Sequence, residues 1–178
     1  MKNRVSLLLL GCAYALIAGC ATPSRPEAMA TTTAAAAAHK SAASVMIEVS
    51  GGRQTSSTYV PQISNEDFAT ALRRSIEQSG AFARVPAVLP ADYRLIAYIG
   101  QLDSPMMGMT VRVDMEVGYQ LIDVATNRPV WRKNIKTQYT VPSDKAYAFV
   151  DRVRIGNEAV ARMNIEQLLA EVAALKLP

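Results

Sequence analysis

The chain has 178 residues, room for one domain, with 19 Lys and Arg against 15 Asp and Glu and one His. If Lys2 and Arg4 leave with a signal peptide, 17 basic residues face 15 acidic ones, too weak a bias for a nucleic-acid partner. Both Cys fall within the first 20 residues, so the rest of the chain has no disulfide and no thiolate metal site.

The N-terminus reads as a lipoprotein signal over residues 1–19. Basic Lys2 and Arg4 precede an apolar stretch too short for a spanning helix, which needs ~20 residues. The stretch ends in Ile17-Ala18-Gly19-Cys20, a tetrad that resembles a bacterial lipobox. In that motif small residues admit the peptidase, and the cysteine thiol accepts the lipid and becomes the first residue after cleavage. A secretory signal cut elsewhere is the alternative. Two acyl chains already anchor stably, so a three-chain lipid on Cys20 would hold firmly. Ala21 stands where an aspartate often means inner-membrane retention, which implies the outer membrane, facing the periplasm.

Residues 20–43 then read as the lipidated cysteine and a disordered tether. They carry prolines, threonines and an alanine run, with almost nothing to bury. As a flexible chain such a tether reaches about 26 Å on average.

Residues 44–178 read as a single α+β domain. Ser44 to Val49 is a strand ended by Gly51-Gly52. A helix follows Ser64 or Asn65 as cap, with Glu66 and Asp67 in its first turn. Phe68, Leu72 and Ile76 mark its buried face, and Gly80 its end. Phe82 to Val85 is a short extended piece, and Tyr93 to Ile99 a central strand, apolar on both faces. From Val111 to Leu121 apolar residues alternate with Arg112, Asp114, Glu116 and Gln120, so one sheet face meets a core and the other meets water. A turn at Ala125 to Pro129 leads into a strand marked by Trp131, Ile135 and Tyr139, with Trp131 expected as a core anchor beside Tyr119. The last helical stretch opens near Pro142 and is expected to be interrupted at Gly156. Beyond it Val160, Met163, Ile165, Leu168, Leu169, Val172 and Leu175 form an apolar stripe. The expected order is β-α-β-β-β-α: an antiparallel or mixed sheet of about four strands, with two helices on one face.

Several stretches carry a resemblance. They are Phe68 to Val85, Ala91-Asp92-Tyr93-Arg94-Leu95, Tyr119 to Asp123 with Pro129-Val130-Trp131, and Asn157 to Leu169. Together they resemble small periplasm-facing lipoproteins: the auxiliary lipoproteins of ABC-type transport systems (the PqiC kind), and more loosely LptE and the amino-terminal domain of TolB-like proteins. The resemblance implies an accessory of envelope transport or assembly and names no ligand.

A search for chemistry points away from an enzyme. His39, the one histidine, lies in the tether, so no Ser-His or Cys-His pair can form within the domain, and no zinc set exists. Asp114 and Glu116 project from one strand face about 7 Å apart, a spacing an inverting glycosidase uses, but they fit a solvated sheet face better. The run Ser104-Pro105-Met106-Met107-Gly108-Met109 is less ordinary. Met106, Met107 and Met109 crowd a strand connection. They could fold back to fill a gap, offer an adaptable apolar contact to a partner or a lipid, or hold Cu(I) through thioethers. The expectation is no metal and no cofactor beyond the covalent lipid on Cys20. The leading function is a non-catalytic accessory or scaffold subunit of an envelope transport or assembly complex, held to the membrane by its lipid. The alternative is a lipoprotein that binds lipid or a hydrophobic ligand between helices and sheet.

Overall fold

Alternation of apolar and charged residues sets the longest strands, and two apolar helical stripes cover one face of the sheet they form. The computed structural model describes residues 22–32, 41–56, 60–175 and 177. Its elements are α1 (Pro26–Met29), β1 (Ser41–Ser50), α2 (Asn65–Ser79), β2 (Phe82–Arg84), β3 (Tyr93–Asp103), β4 (Val111–Asp123), β5 (Arg128–Val141) and α3 (Phe149–Ala173). The sheet order is β2-β1-β3-β4-β5, with β2 and β3 parallel to β1, and β4 antiparallel to both β3 and β5. The α+β class holds, with five strands and three helices among the described residues in place of about four and two. The extra strand is the short piece Phe82–Arg84, which pairs with β1 at the sheet edge.

Local signals act as expected in α2. The Ser64 hydroxyl accepts from the Asp67 amide at 3.0 Å and donates to the Asp67 carboxylate at 2.6 Å, closing the first turn. Gly80 ends the helix at φ 65°, in the left-handed region. Phe68, Leu72 and Ile76 are buried against β1 and β2. On β4, Val111, Val113, Met115, Val117, Tyr119 and Leu121 all face the core, under α3.

Three expectations need correction. Gly156 does not interrupt the last helix, which runs unbroken from Phe149 to Ala173. Gly156 is where α3 lies closest to the sheet: a Cβ there would stand 2.6 Å from Val113 Cγ2 and 3.1 Å from Val141 Cγ2. Trp131 is half-buried at the rim, opposite Leu121, while Tyr119 pairs with Lys133. A register shift between Leu121 and Ile122 sets that end of β5. Finally, residues 22–32 are not a free tether. Met29 is fully buried, and α1 packs against both α2 and α3. At its other end the expected tether also stops short, because Ser41, Ala42 and Ala43 already belong to β1, where Ser41 pairs with Phe82. The signal, Ile17, Ala18, Gly19, Cys20, the alanine run and His39 lie outside the described residues.

Candidate docking surface

The helix layer is pinned to the sheet by polar side chains on α3 that a hydropathy stripe does not reveal. Asn157 and Asn164 are completely buried and Glu158 nearly so. Tyr119 Oη donates to Asn164 Oδ1 at 2.8 Å, and Asn164 Nδ2 donates to the Ile135 carbonyl at 3.0 Å. Thr137 Oγ1 donates to the Val160 carbonyl at 3.1 Å. Full burial pushes the Tyr119 phenol well above its ordinary range. Asn157 Nδ2 donates to the Pro61 carbonyl at 2.7 Å, and its Oδ1 accepts from the Ser104 hydroxyl at 2.7 Å. That last bond fixes one root of the methionine loop.

The methionine loop joins β3 to β4 and does not fold back. Met106, Met107 and Met109 are 73%, 83% and 90% exposed. Its second root is held by Arg152 Nη1, which donates to the Met109 carbonyl at 2.6 Å. Both root contacts come from the first turns of α3, so the loop stands at the N-terminal end of that helix. Tyr147 and Val150, in and just after the connection from β5 to α3, are exposed at the same end. Scattered exposed apolar residues are ordinary, whereas these stand together at one end of the fold. Among the described residues no His or Cys accompanies the three thioethers, and no group of His, Cys, Asp and Glu could hold a metal ion.

The outer face of the sheet is polar. Arg112 Nε meets Asp114 at 3.2 Å, and Glu116 meets Lys136 Nζ at 3.1 Å and Asn134 Nδ2 at 3.2 Å. Each carboxylate thus has a nearby cation, the arrangement of a solvated face. The described hollows lie on this outer face and at the sheet ends. Between helices and sheet, Phe68, Leu72, Leu95, Leu121, Leu168 and Leu169 pack into one core.

The N-terminal segment crosses the helix layer along α3. The Arg25 amide and Nε both donate to Glu158 Oε1, at 3.1 and 3.2 Å. Arg162 Nη1 reaches the Ala28 carbonyl at 3.5 Å, and Thr31 Oγ1 donates to Glu166 Oε1 at 3.0 Å. The Thr31 amide donates to Ser75 Oγ on α2 at 3.0 Å, and Arg74 pairs with Glu27 at 2.8 Å. Composition hid this docking, but a local signal was present: Pro26-Glu27 suits a first helical turn, and Met29 is the one large apolar residue after it.

No family model matches the chain, and no curated protein matches it in sequence. Solved structures share its fold. Protein XCC0632 of Xanthomonas campestris, described under the family model DUF330, superposes with a TM-score of 0.56 at 13% identity over 76% of this chain and 88% of that one. The hypothetical protein CT253 of Chlamydia trachomatis gives 0.54 at 14% identity, over 77% of this chain and 100% of its own. A point variant of PelC from Paraburkholderia phytofirmans, described as a dodecamer, gives 0.52 at 16%, over 77% and 90%. Bacterial lipoproteins also match at TM-scores below 0.5. At these identities the likeness shows the fold alone.

Proposed function

We propose that the chain is a lipid-anchored, non-catalytic accessory subunit of an envelope transport or assembly complex, held by an acylated Cys20 at the outer membrane and facing the periplasm. The observation that carries this reading is the docking of residues 22–32. Cys20 precedes Thr22 by two residues, a span of at most about 7 Å. With Arg25, Met29 and Thr31 fixed on the helices, the lipid is joined to the fold by a short mount in place of a long leash. A short mount holds the domain in one orientation and presents the same surfaces to a partner each time. A diffusing catalyst has no use for that, whereas a docking module does.

The PelC variant on this fold is described as a dodecamer, which supports an assembly role for the scaffold. Binding of a lipid between helices and sheet fits less well, because the side chains of the core fill that layer.

Fractionation and crosslinking in intact cells test the proposal. The wild-type chain is expected with outer membranes, crosslinked to a small set of envelope proteins. Cys20→Ser is expected to be released and to lose those crosslinks. A Cys20→Ser chain that sediments as firmly as wild type sinks the reading.

A further inference from the structure

We infer that the methionine loop dips into the same bilayer that holds the Cys20 lipid, so that the end of the domain bearing Met106, Met107 and Met109 faces the membrane. The inference rests on the lipid-anchor reading above and adds an orientation to it.

The direction of the N-terminal segment carries the argument. Arg25 contacts Glu158, Ala28 contacts Arg162 and Thr31 contacts Glu166. Each three-residue step along the segment moves four residues along α3. The two run in the same direction, so the chain before Arg25 is aimed at the N-terminal end of α3. From Glu158 back to Phe149 is about 14 Å along the helix axis. From Arg25 back to Cys20 the chain can span at most about 17 Å. Cys20 can therefore reach the level of the first turn of α3, and two residues' worth of chain beyond Thr22 cannot carry it to the far end.

The methionine loop occupies that same end. Arg152 and Asn157, in the first turns of α3, hold its two roots. The three exposed methionine side chains there are apolar and adaptable, and Tyr147 adds an amphipathic ring of the kind that settles at a membrane interface. Of the other exposed large apolar residues among those described, Val88 and Leu89 precede β3 and Val130 opens β5, all at the opposite end, and Tyr98 stands alone in the middle of β3. Charges at that end include Arg112, Lys145 and Arg152 but also Asp103, Asp144 and Asp151, three of each sign, so the contact would be apolar in character and would not depend on anionic lipid.

The test uses the mature, acylated chain in vesicles of phosphatidylethanolamine and phosphatidylglycerol. Its one remaining cysteine is capped by lipid, so Met107→Cys accepts a single environment-sensitive fluorophore. Ala125→Cys, in the β4–β5 turn at the opposite end, is the control. The Met107 label is expected to shift to the blue and to be quenched by lipids bearing spin labels on their acyl chains. The Ala125 label is expected to stay water-like and unquenched. Water-like emission from both labels overturns the inference. A blue shift at Met107 in native envelopes but not in vesicles also overturns it and makes a protein partner the occupant. Intact mass separates the two layers of the argument: a mature chain without acyl groups removes the anchor reading itself, whereas an acylated chain with a water-like Met107 removes only the orientation.

Discussion

Tyr119 on β4 and Asn164 on α3 share a hydrogen bond of 2.8 Å inside the core, and Asn164 passes the network on to the Ile135 carbonyl of β5. One asparagine thus ties the terminal helix to two strands at once. A buried polar group that loses its partner costs the desolvation of that group, commonly ~1–3 kcal/mol. Asn164→Ala leaves the Tyr119 hydroxyl and the Ile135 carbonyl without it, so a loss of about 3 kcal/mol is expected in urea unfolding. Tyr119→Phe removes one donor and is expected to cost about 1 kcal/mol. Equal stability of Asn164→Ala and wild type would show that water replaces the side chain.

The same burial gives a base-sensitive fold. The Tyr119 phenol is held far above its ordinary value by desolvation, and Tyr93 is raised to a smaller extent, first by burial and then by Asp123 and Asp92. A group raised on folding contributes fully below its unfolded value, about 10 for tyrosine, and loses that contribution as pH climbs toward the folded value. Urea midpoints are therefore expected to fall above pH ~10. Tyr119→Phe, which cannot ionise there, is expected to fall less steeply. Parallel curves for the two proteins would assign the base sensitivity elsewhere.

Gly156 makes a prediction against helix propensity. Alanine in a helix interior is favoured over glycine by ~1 kcal/mol. Here the added methyl would meet Val113 Cγ2 at 2.6 Å and Val141 Cγ2 at 3.1 Å. Overpacking of a filled core costs ~1–3 kcal/mol, so Gly156→Ala is expected to lower stability despite the gain in propensity. Val113→Ala opens the space, and the double variant is expected to be more stable than the sum of the two single effects. Simple additivity would mean that the helix shifts to make room.

The period-two alternation of β4 and the Ser64 cap of α2 were legible because each is a local pattern in which every residue votes the same way. β2 reads only as a short extended piece, because three residues carry no period and its partner β1 lies some 40 residues upstream. Gly156 looked like a breaker because the reason for it is the pair Val113 and Val141, which the local sequence does not display. The docked segment vanished into an average: one buried methionine among alanines, threonines and prolines reads as a linker. For the candidate site, the three methionines are visible as an anomaly of composition, yet only the hydrogen bonds that tie Ser104 to Asn157 and Met109 to Arg152 show where they stand.

Asp92, in the Ala91-Asp92-Tyr93 motif, shows what that motif builds. Its Oδ2 accepts from the Ser44 amide and the Ser44 hydroxyl, each at 2.7 Å, and its own amide donates to Ser44 Oγ at 3.0 Å. These bonds register the start of β3 on the start of β1. The Ser44 hydroxyl, then the Ser44 amide, hold the Asp92 carboxyl below the usual carboxylate range. A depressed carboxylate stabilises the fold above its unfolded value, ~3.9, and that contribution is lost as pH falls through the folded value. Asp92→Asn is expected to unfold earlier than wild type at neutral pH, with the gap closing in acid. A gap of constant size from pH 7 to pH 2 would deny the linkage.

Met29 tests whether the N-terminal mount can release without unfolding the domain. Its side chain is wholly buried between α2 and α3, and a Met→Ala change at such a site commonly costs ~2–5 kcal/mol. The segment, however, packs on the two long helices from outside the helix layer, so it is expected to peel away while the sheet and those helices stay folded. The Thr31 amide, bonded to Ser75 Oγ at 3.0 Å, reports that opening through hydrogen exchange. Met29→Ala is expected to speed Thr31 exchange by roughly 30-fold or more, the equivalent of ~2 kcal/mol. Amides of β3 and β4 are expected to keep nearly their wild-type protection. If β4 amides lose protection in step with Thr31, the segment belongs to the cooperative core. The short mount would then be no independent latch, and releasing it would cost the whole fold.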